Sequence, residues 1–313
     1  MSLRALTTAL CLALIWGSVL SGCSATRVET TPAGLGKPVS EAEMIAALEA
    51  SGSIVFTKHT AARWAVPLSG LLNLNHAKAV SVGLEDVDEA IELYVYSLQH
   101  PTKGTFIVDS GISESLRNPG ANRDISTLVK MAMKTDRLVT QKSTDQLMRE
   151  YKRIDGVLLT HLHLDHILGL NDIATSVPVF VGPGDAAMTE LTHVVTQGTT
   201  DRLLRNVEIL REWSFHKGQI LDVFEDGSLF AISAPGHTPG TTVYLANSTD
   251  GPQLMIGDVT HTGWGWEQGV EPGTYSHDPA ESAEALAFIK RLASKITGVT
   301  VHPGHQSLAD SER

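Results

Sequence analysis

The segment Gly156-Val-Leu-Leu-Thr-His161-Leu-His163-Leu-Asp165-His166 decides how this chain is read. An apolar strand runs into a turn, and four side chains able to ligate a metal follow within six residues. Alternate side chains of an extended segment share a face, so His161 and His163 can hold one cation. Asp165 and His166 come after the chain bends and can face a second cation. Imidazole and carboxylate donors suit zinc, and also iron or manganese. The chain's two cysteines, Cys11 and Cys23, lie near its start, so the metal ligands of a folded domain must be histidines and carboxylates.

Working outward, three downstream segments and one upstream segment extend the pattern. They are Ser233-Ala-Pro-Gly236-His237-Thr-Pro-Gly240, Ile256-Gly257-Asp258, Val301-His302-Pro303-Gly304-His305 and Val108-Asp109-Ser110-Gly111. A single Pro-Gly-His is weak, since Pro-Gly mostly marks turns. The His-x-His-x-Asp-His run with the other elements in this order resembles the metallo-β-lactamase superfamily over roughly residues 50 to 310. The resemblance implies a first metal on His161, His163 and His237, and a second on Asp165, His166 and His305. Asp258 would bridge the two, and Asp109 would shape a turn. Of the last two histidines, His305 is the expected ligand and His302 the alternative. Two divalent ions, zinc in the first instance, are the implied cofactors.

The element pattern fits such a fold. Apolar β-rich runs at 53–57, 92–98, 105–108, 156–160, 177–181, 228–233, 241–245, 253–256 and 298–301 read as strands. Helices are expected at 124–134, 144–151, 184–191 and 279–295, with one starting after Ser40. Ser40 with Glu43 forms a capping box, and Asp278, Pro279 and Glu281 open the 279–295 helix as N-cap, N1 and N3. Periodicity by itself says α/β or α+β. With the resemblance, the expectation is an α+β, αββα sandwich: two mixed sheets face to face, with helices on both outer faces.

Hydrophobic residues make up 42% and charged residues 19%, an ordinary globular balance. The formal charge of −11 argues against a nucleic-acid footprint. At the N-terminus Arg4 precedes a mostly apolar run from Ala5 to Val19, too short for a comfortable membrane span. The run ends at Leu20-Ser21-Gly22-Cys23, which resembles a bacterial lipobox. That resemblance implies cleavage before Cys23 and lipidation of its thiol. Ser24, where an inner-membrane retention signal would carry aspartate, implies the outer membrane facing the periplasm. The expected organisation is a signal peptide at 1–22, a Ser/Thr/Pro/Gly tether at 23–40 and one catalytic domain at 41–313.

A paired-metal site can lower the pKa of a shared water toward neutrality, and the resulting bridging hydroxide attacks a carbonyl or phosphoryl centre. Asp258 and Asp165 are the expected catalytic carboxylates. The resemblance is best to the N-acyl homoserine lactonase-like branch, on Tyr94-Val-Tyr96 through Asp109-Ser-Gly111. It implies a small-molecule lactone or ester substrate. One departure concerns the position three residues after the bridging aspartate. Those lactonases commonly carry a tyrosine there that polarises the substrate carbonyl; this chain has His261. His261 is therefore expected to assist the substrate, with a supporting bond to Asp258 as the alternative. Trp264 and Trp266 are expected to wall the substrate pocket, against packing as loop aromatics. Histidines 59, 76, 100, 193, 216 and 277 carry no motif and are read as lying outside the site. Thioesterase, β-lactamase and phosphodiesterase activities are the other hydrolytic readings. A zinc-binding surface lipoprotein without catalysis is the reading from another class, opposed by a donor set without cysteine.

Overall fold

A computed structural model describes residues 23–308; the signal peptide expected at 1–22 lies outside them. Two sheets form. The first has eight strands: β1 (Thr30–Pro32), β3 (Val55–Pro67), β4 (Asp88–His100), β5 (Gly104–Val108), β6 (Val139–Thr140), β7 (Gly156–Leu158), β8 (Val179–Val181) and β9 (Leu210–Glu212). Their order is β1-β9-β8-β7-β5-β4-β3-β6. The second has six: β2 (Lys37–Val39), β10 (Ile220–Asp222), β11 (Leu229–Ser233), β12 (Thr242–Ser248), β13 (Gly251–Gly257) and β14 (Thr300–Pro303), in the order β14-β13-β12-β11-β10-β2. Both are mixed: β5, β7, β8, β9 and β1 run parallel in the first sheet, and β13 and β14 in the second.

Period-two alternation builds the layers. Tyr94, Tyr96 and Leu98 of β4 meet Tyr244 and Ala246 of β12 and Leu229 and Ala231 of β11 between the sheets. The intervening Ile91, Leu93 and Val95 face the opposite way, into a core under the helices of the first sheet. Phe230, Ile232, Val243 and Leu245 likewise face out of the second sheet. There they pack on α1 (Glu41–Ala47) and α9 (Pro279–Ala293). Strands covered on both faces read as near-continuous apolar runs, which is why they were legible. The remaining helices are α2 (Leu68–Leu71), α3 (Ala77–Ser81), α4 (Thr127–Met133), α5 (Thr144–Tyr151), α6 (Leu164–Ile167), α7 (His193–Leu203) and α8 (Gly263–Gln268). The caps fall as read: Ser40 and Glu43 close a capping box on α1, and Asp278 accepts from the Glu281 N–H at the start of α9. Among the described residues no helix is long and apolar enough to cross a membrane.

Two expectations need correction. Residues 23–40 are not a free tether. Thr30–Pro32 pairs in parallel with β9, and Lys37–Val39 pairs antiparallel with β10, so this segment adds an edge strand to each sheet. Three-residue strands carry too little pattern to be seen in sequence. The helix expected at 184–191 is also absent. Gly184 sits at φ +83°, outside the helical region, and the helix forms instead at 193–203.

Candidate metal centre

Each ligand-bearing segment leaves the end of a buried strand. After β7 the chain stays extended through His161 and His163, then turns into α6, which carries Asp165 and His166. The Tyr244 hydroxyl reaches over from the second sheet and donates to the Leu159 carbonyl at 3.0 Å. Trp213 Nε1 donates in turn to that hydroxyl. His237 follows β11 in a turn where Gly236 has φ +144° and abuts the backbone of Ser282 in α9, leaving no room for a Cβ. Asp258 follows β13 and His305 follows β14. Gly304 is required for the same reason: a Cβ there would collide with the Asp258 carboxylate.

The seven side chains meet as two groups that share one carboxylate. His161, His163, His237 and Asp258 form the first, and Asp165, His166, Asp258 and His305 the second. Within each group all ligand atoms lie within 4.8 Å of one another. His237 Nε2 lies 3.1 Å from His161 Nε2 and 2.8 Å from His163 Nδ1. Asp258 Oδ2 is the hub, 3.3 Å from His237 Nε2 and 3.4 Å from both His166 Nε2 and His305 Nε2. His305 Nε2 is also 3.3 Å from Asp165 Oδ2.

These residues fit metal ions on two grounds. Zinc–nitrogen bonds of about 2.0–2.1 Å place tetrahedral ligand atoms roughly 3.3 Å apart, a value that the separations of 2.8 to 3.7 Å here bracket. In addition, His166 Nε2 and Asp258 Oδ1 are buried without a hydrogen-bond partner, an arrangement that a cation resolves.

The far nitrogens are held by the protein, which fixes the tautomers. His166 Nδ1 lies 2.8 Å from Asp109 Oδ2, and Asp109 also accepts from the backbone and hydroxyl of Thr160. His305 Nδ1–H donates to the Glu92 carbonyl at 3.0 Å. Ser276 Oγ holds His237 Nδ1 at 3.1 Å. Burial, reinforced by the neighbouring imidazoles, keeps His161 and His237 neutral, with pKa values well below the ordinary range. Burial also opposes the charge on His166 and His305, but their carboxylate neighbours win. Asp109 and Asp258 raise His166, and Asp258 and Asp165 push His305 up to about 10. Burial works against the ionised forms of Asp165 and Asp258 as well, yet the surrounding histidines hold both pKa values down.

His302 lies elsewhere. It is stacked on Phe56 between the sheets, 2.9 Å from Gln253 Oε1, with its pKa pushed down to about 3 by burial. His261 is at the site, but both ring nitrogens face the protein. Nδ1–H donates to the Leu71 carbonyl at 2.9 Å, and Nε2 sits 3.1 Å from Asp258 Oδ2. These contacts match the alternative expectation, a supporting bond to Asp258, while the ring also lines the cavity above the ligands. The tryptophans are corrected. Trp266 packs on the outer core of the second sheet with Lys290 over its ring. Trp264 lines a neighbouring cleft of about 490 Å³ that meets the site only at His305, Trp64 and Ile91.

The cavity above the ligands has a volume of about 390 Å³. Its floor is His163, Asp165, His237, Asp258, His261 and His305; its walls include Trp64, Val66, Ile91, Met133, Leu162, Leu164 and Tyr275. His193, read as lying outside the site, also lines it. Sequence reasoning missed Asp185 altogether. Its two oxygens accept from the N–H groups of Leu162 and Gly240, tying the first ligand segment to the second. Burial raises its pKa to about 6. No motif marks it, because both partners are distant in sequence.

Comparison with known proteins agrees with this geometry. A family profile described as the metallo-beta-lactamase superfamily matches residues 94–305. The chain belongs to that superfamily. It is 28% identical over 125 residues to a gamma-lactamase, FDB1, of Fusarium pseudograminearum, covering 36% of this chain and 30% of that protein. It is 28% identical over 97 residues to the N-acyl homoserine lactonase AttM of Azorhizobium caulinodans, covering 30% and 36%. The aligned stretches thus span about a third of these relatives. A solved quorum-quenching N-acyl homoserine lactone hydrolase superposes with a TM-score of 0.57 at 16% identity, covering 84% of this chain and 96% of that one. That likeness shows the fold.

Proposed function

We propose that this protein hydrolyses a lactone or ester, with two divalent cations, zinc in the first instance, held by the two ligand groups that share Asp258. The observation that carries this reading is the sharing itself: two four-residue groups meet on one buried carboxylate at the floor of a largely apolar cavity. Two such cations supply a hydroxide at neutral pH and polarise the scissile carbonyl. The chain's own residues do the rest. Asp109, Glu92 and Ser276 fix the ring orientations of His166, His305 and His237. His261, pinned by Leu71, orients Asp258. Asp165 lines the cavity, where it can take the proton of the attacking water and return it to the leaving oxygen. Trp64, Val66, Ile91 and Leu164 exclude water from the acyl side of the substrate.

The lactonase and gamma-lactamase relatives support a cyclic carbonyl substrate. The test is metal analysis joined to a panel of lactones, esters, thioesters, phosphodiesters and β-lactams. Lactone or ester turnover with about two ions per chain is the expected result; full turnover with at most one ion overturns the dinuclear reading. Turnover restricted to phosphodiesters or β-lactams would overturn the substrate class.

The same proposal places the protein in the bacterial cell envelope, anchored through a lipid on Cys23, with the outer membrane facing the periplasm as its location. Intact mass and membrane fractionation test this.

A further inference from the structure

We infer that the cavity opens onto the membrane: the face built by α4 and the start of α7 rests on the phospholipid bilayer and admits apolar, acyl-bearing substrates from it. This rests on the lipid anchor proposed for Cys23.

The first observation is that such an anchor has no slack. The Cys23 carbonyl lies 3.2 Å from His193 Nδ1, at the first residue of α7. Gln197 Nε2 donates to both the carbonyl and the hydroxyl of Ser24, at 2.8 and 3.0 Å. Thr26 Oγ1 donates to Asp201 at 2.7 Å. Residues 23–26 are thus strapped along one helix, and acyl chains on Cys23 must hold that helix at the lipid surface.

The second observation is what this helix, the turn just before it and α4 present. Leu191 is 78% exposed, Val194 63% and Val195 42%; on α4, Leu128 is 56% exposed and Met131 69%. These five are among twelve large apolar side chains exposed among the described residues. The two helices adjoin, with the Ser126 N–H, at the N-cap of α4, donating to Thr199 of α7. Clustered exposed apolar residues mark an interaction surface, whereas scattered ones do not.

The third observation joins face to chemistry. Ala25, two residues from the anchor, is buried and lines the catalytic cavity. His193, Thr196 and Thr200 of α7 and Met133 at the end of α4 line it as well. The elements that touch the bilayer are the elements that wall the path to Asp258. A substrate whose acyl tail dissolves in the membrane can enter without crossing water.

The lipidated protein offers a direct test, since with the leader removed and Cys23 acylated the chain has no free thiol. Single variants Val194→Cys, Met131→Cys and Val55→Cys carry a fluorophore. The protein is reconstituted in phosphatidylethanolamine–phosphatidylglycerol vesicles containing brominated lipid. Val55, itself 48% exposed, begins β3 at the end opposite Pro67, which lines the cavity, so it serves as the reference. The expected result is strong quenching at 194 and 131 and little at 55. Equal quenching at all three sites overturns the proposal. Weak quenching at 194 and 131 with protein-like emission, accompanied by dimers in sedimentation, would assign the face to a second copy of the chain and overturn it too. An intact mass showing unmodified Cys23 would overturn the anchor instead. The quenching readout is independent of turnover, so it stands apart from the hydrolase reading.

Discussion

The two ligand groups meet on Asp258 but are prepared differently. In the first, three imidazole nitrogens face one another at 2.8–3.1 Å along His237, and burial keeps His161 and His237 neutral. In the second, carboxylates stand behind and beside the rings, so His166 and His305 hold protons when no cation is present. The first group is ready for a cation as folded; the second must release protons to accept one. The difference teaches that a symmetric-looking ligand list can hide two sites of unequal strength.

The largest effect should come from the residue that both groups share. Asp258→Ala is expected to lower kcat by about 10²–10³-fold and to cut metal content, because both groups lose a ligand at once. Normal turnover with two ions retained would end its bridging role. Acidification should then separate the groups. A histidine pKa raised toward 10 means that, below that value, protons compete for the ligand nitrogen. Affinity for the second ion should therefore fall by about tenfold per pH unit for each proton displaced, while the first ion is held nearly constantly. Chelator competition between pH 8 and pH 6 measures this, and parallel loss of both ions would break the comparison.

A smaller change sharpens the same contrast. Asp109→Ala removes the carboxylate behind His166 and should weaken the second ion by about 10–100-fold, with the first unaffected. Metal analysis after graded chelation reads the difference. The smallest expected effect is that of His261→Ala. It should loosen metal binding toward the low end of that range, about tenfold, with kcat restored when metal is added in excess. Loss of kcat with full metal occupancy would return His261 to a direct role on substrate.

Some of this was legible because its physics is local. Alternation along an extended segment puts His161 and His163 on one face whatever surrounds them, and a four-residue turn suffices to bring up Asp165 and His166. The Ser40–Glu43 box and the Asp278–Pro279 helix start are equally short-range. Strands buried on both faces also announce themselves in composition. The superfamily pattern then added His237, Asp258 and His305 across gaps that spacing alone could not bridge.

What tertiary structure decided depends on partners far away in the chain. The 193–203 segment, His-Val-Val-Thr-Gln-Gly-Thr-Thr-Asp-Arg-Leu, has β-branched residues and a glycine that disfavour a helix; packing of Leu203 and its neighbours on the first sheet makes it one. The short strands at 30–32 and 37–39 exist because edges of two sheets await them, 180 or more residues on in sequence. Asp185 became visible only when Leu162 and Gly240 converged on it. Which of His302 and His305 joins the site turned on where β14 ends: one ring falls between the sheets against Phe56, while the other passes the strand end and meets two carboxylates. Sequence spacing fixes which residues can share a face, but only the closed fold sets what each remaining ring nitrogen and carboxylate oxygen meets, and burial makes those meetings decisive.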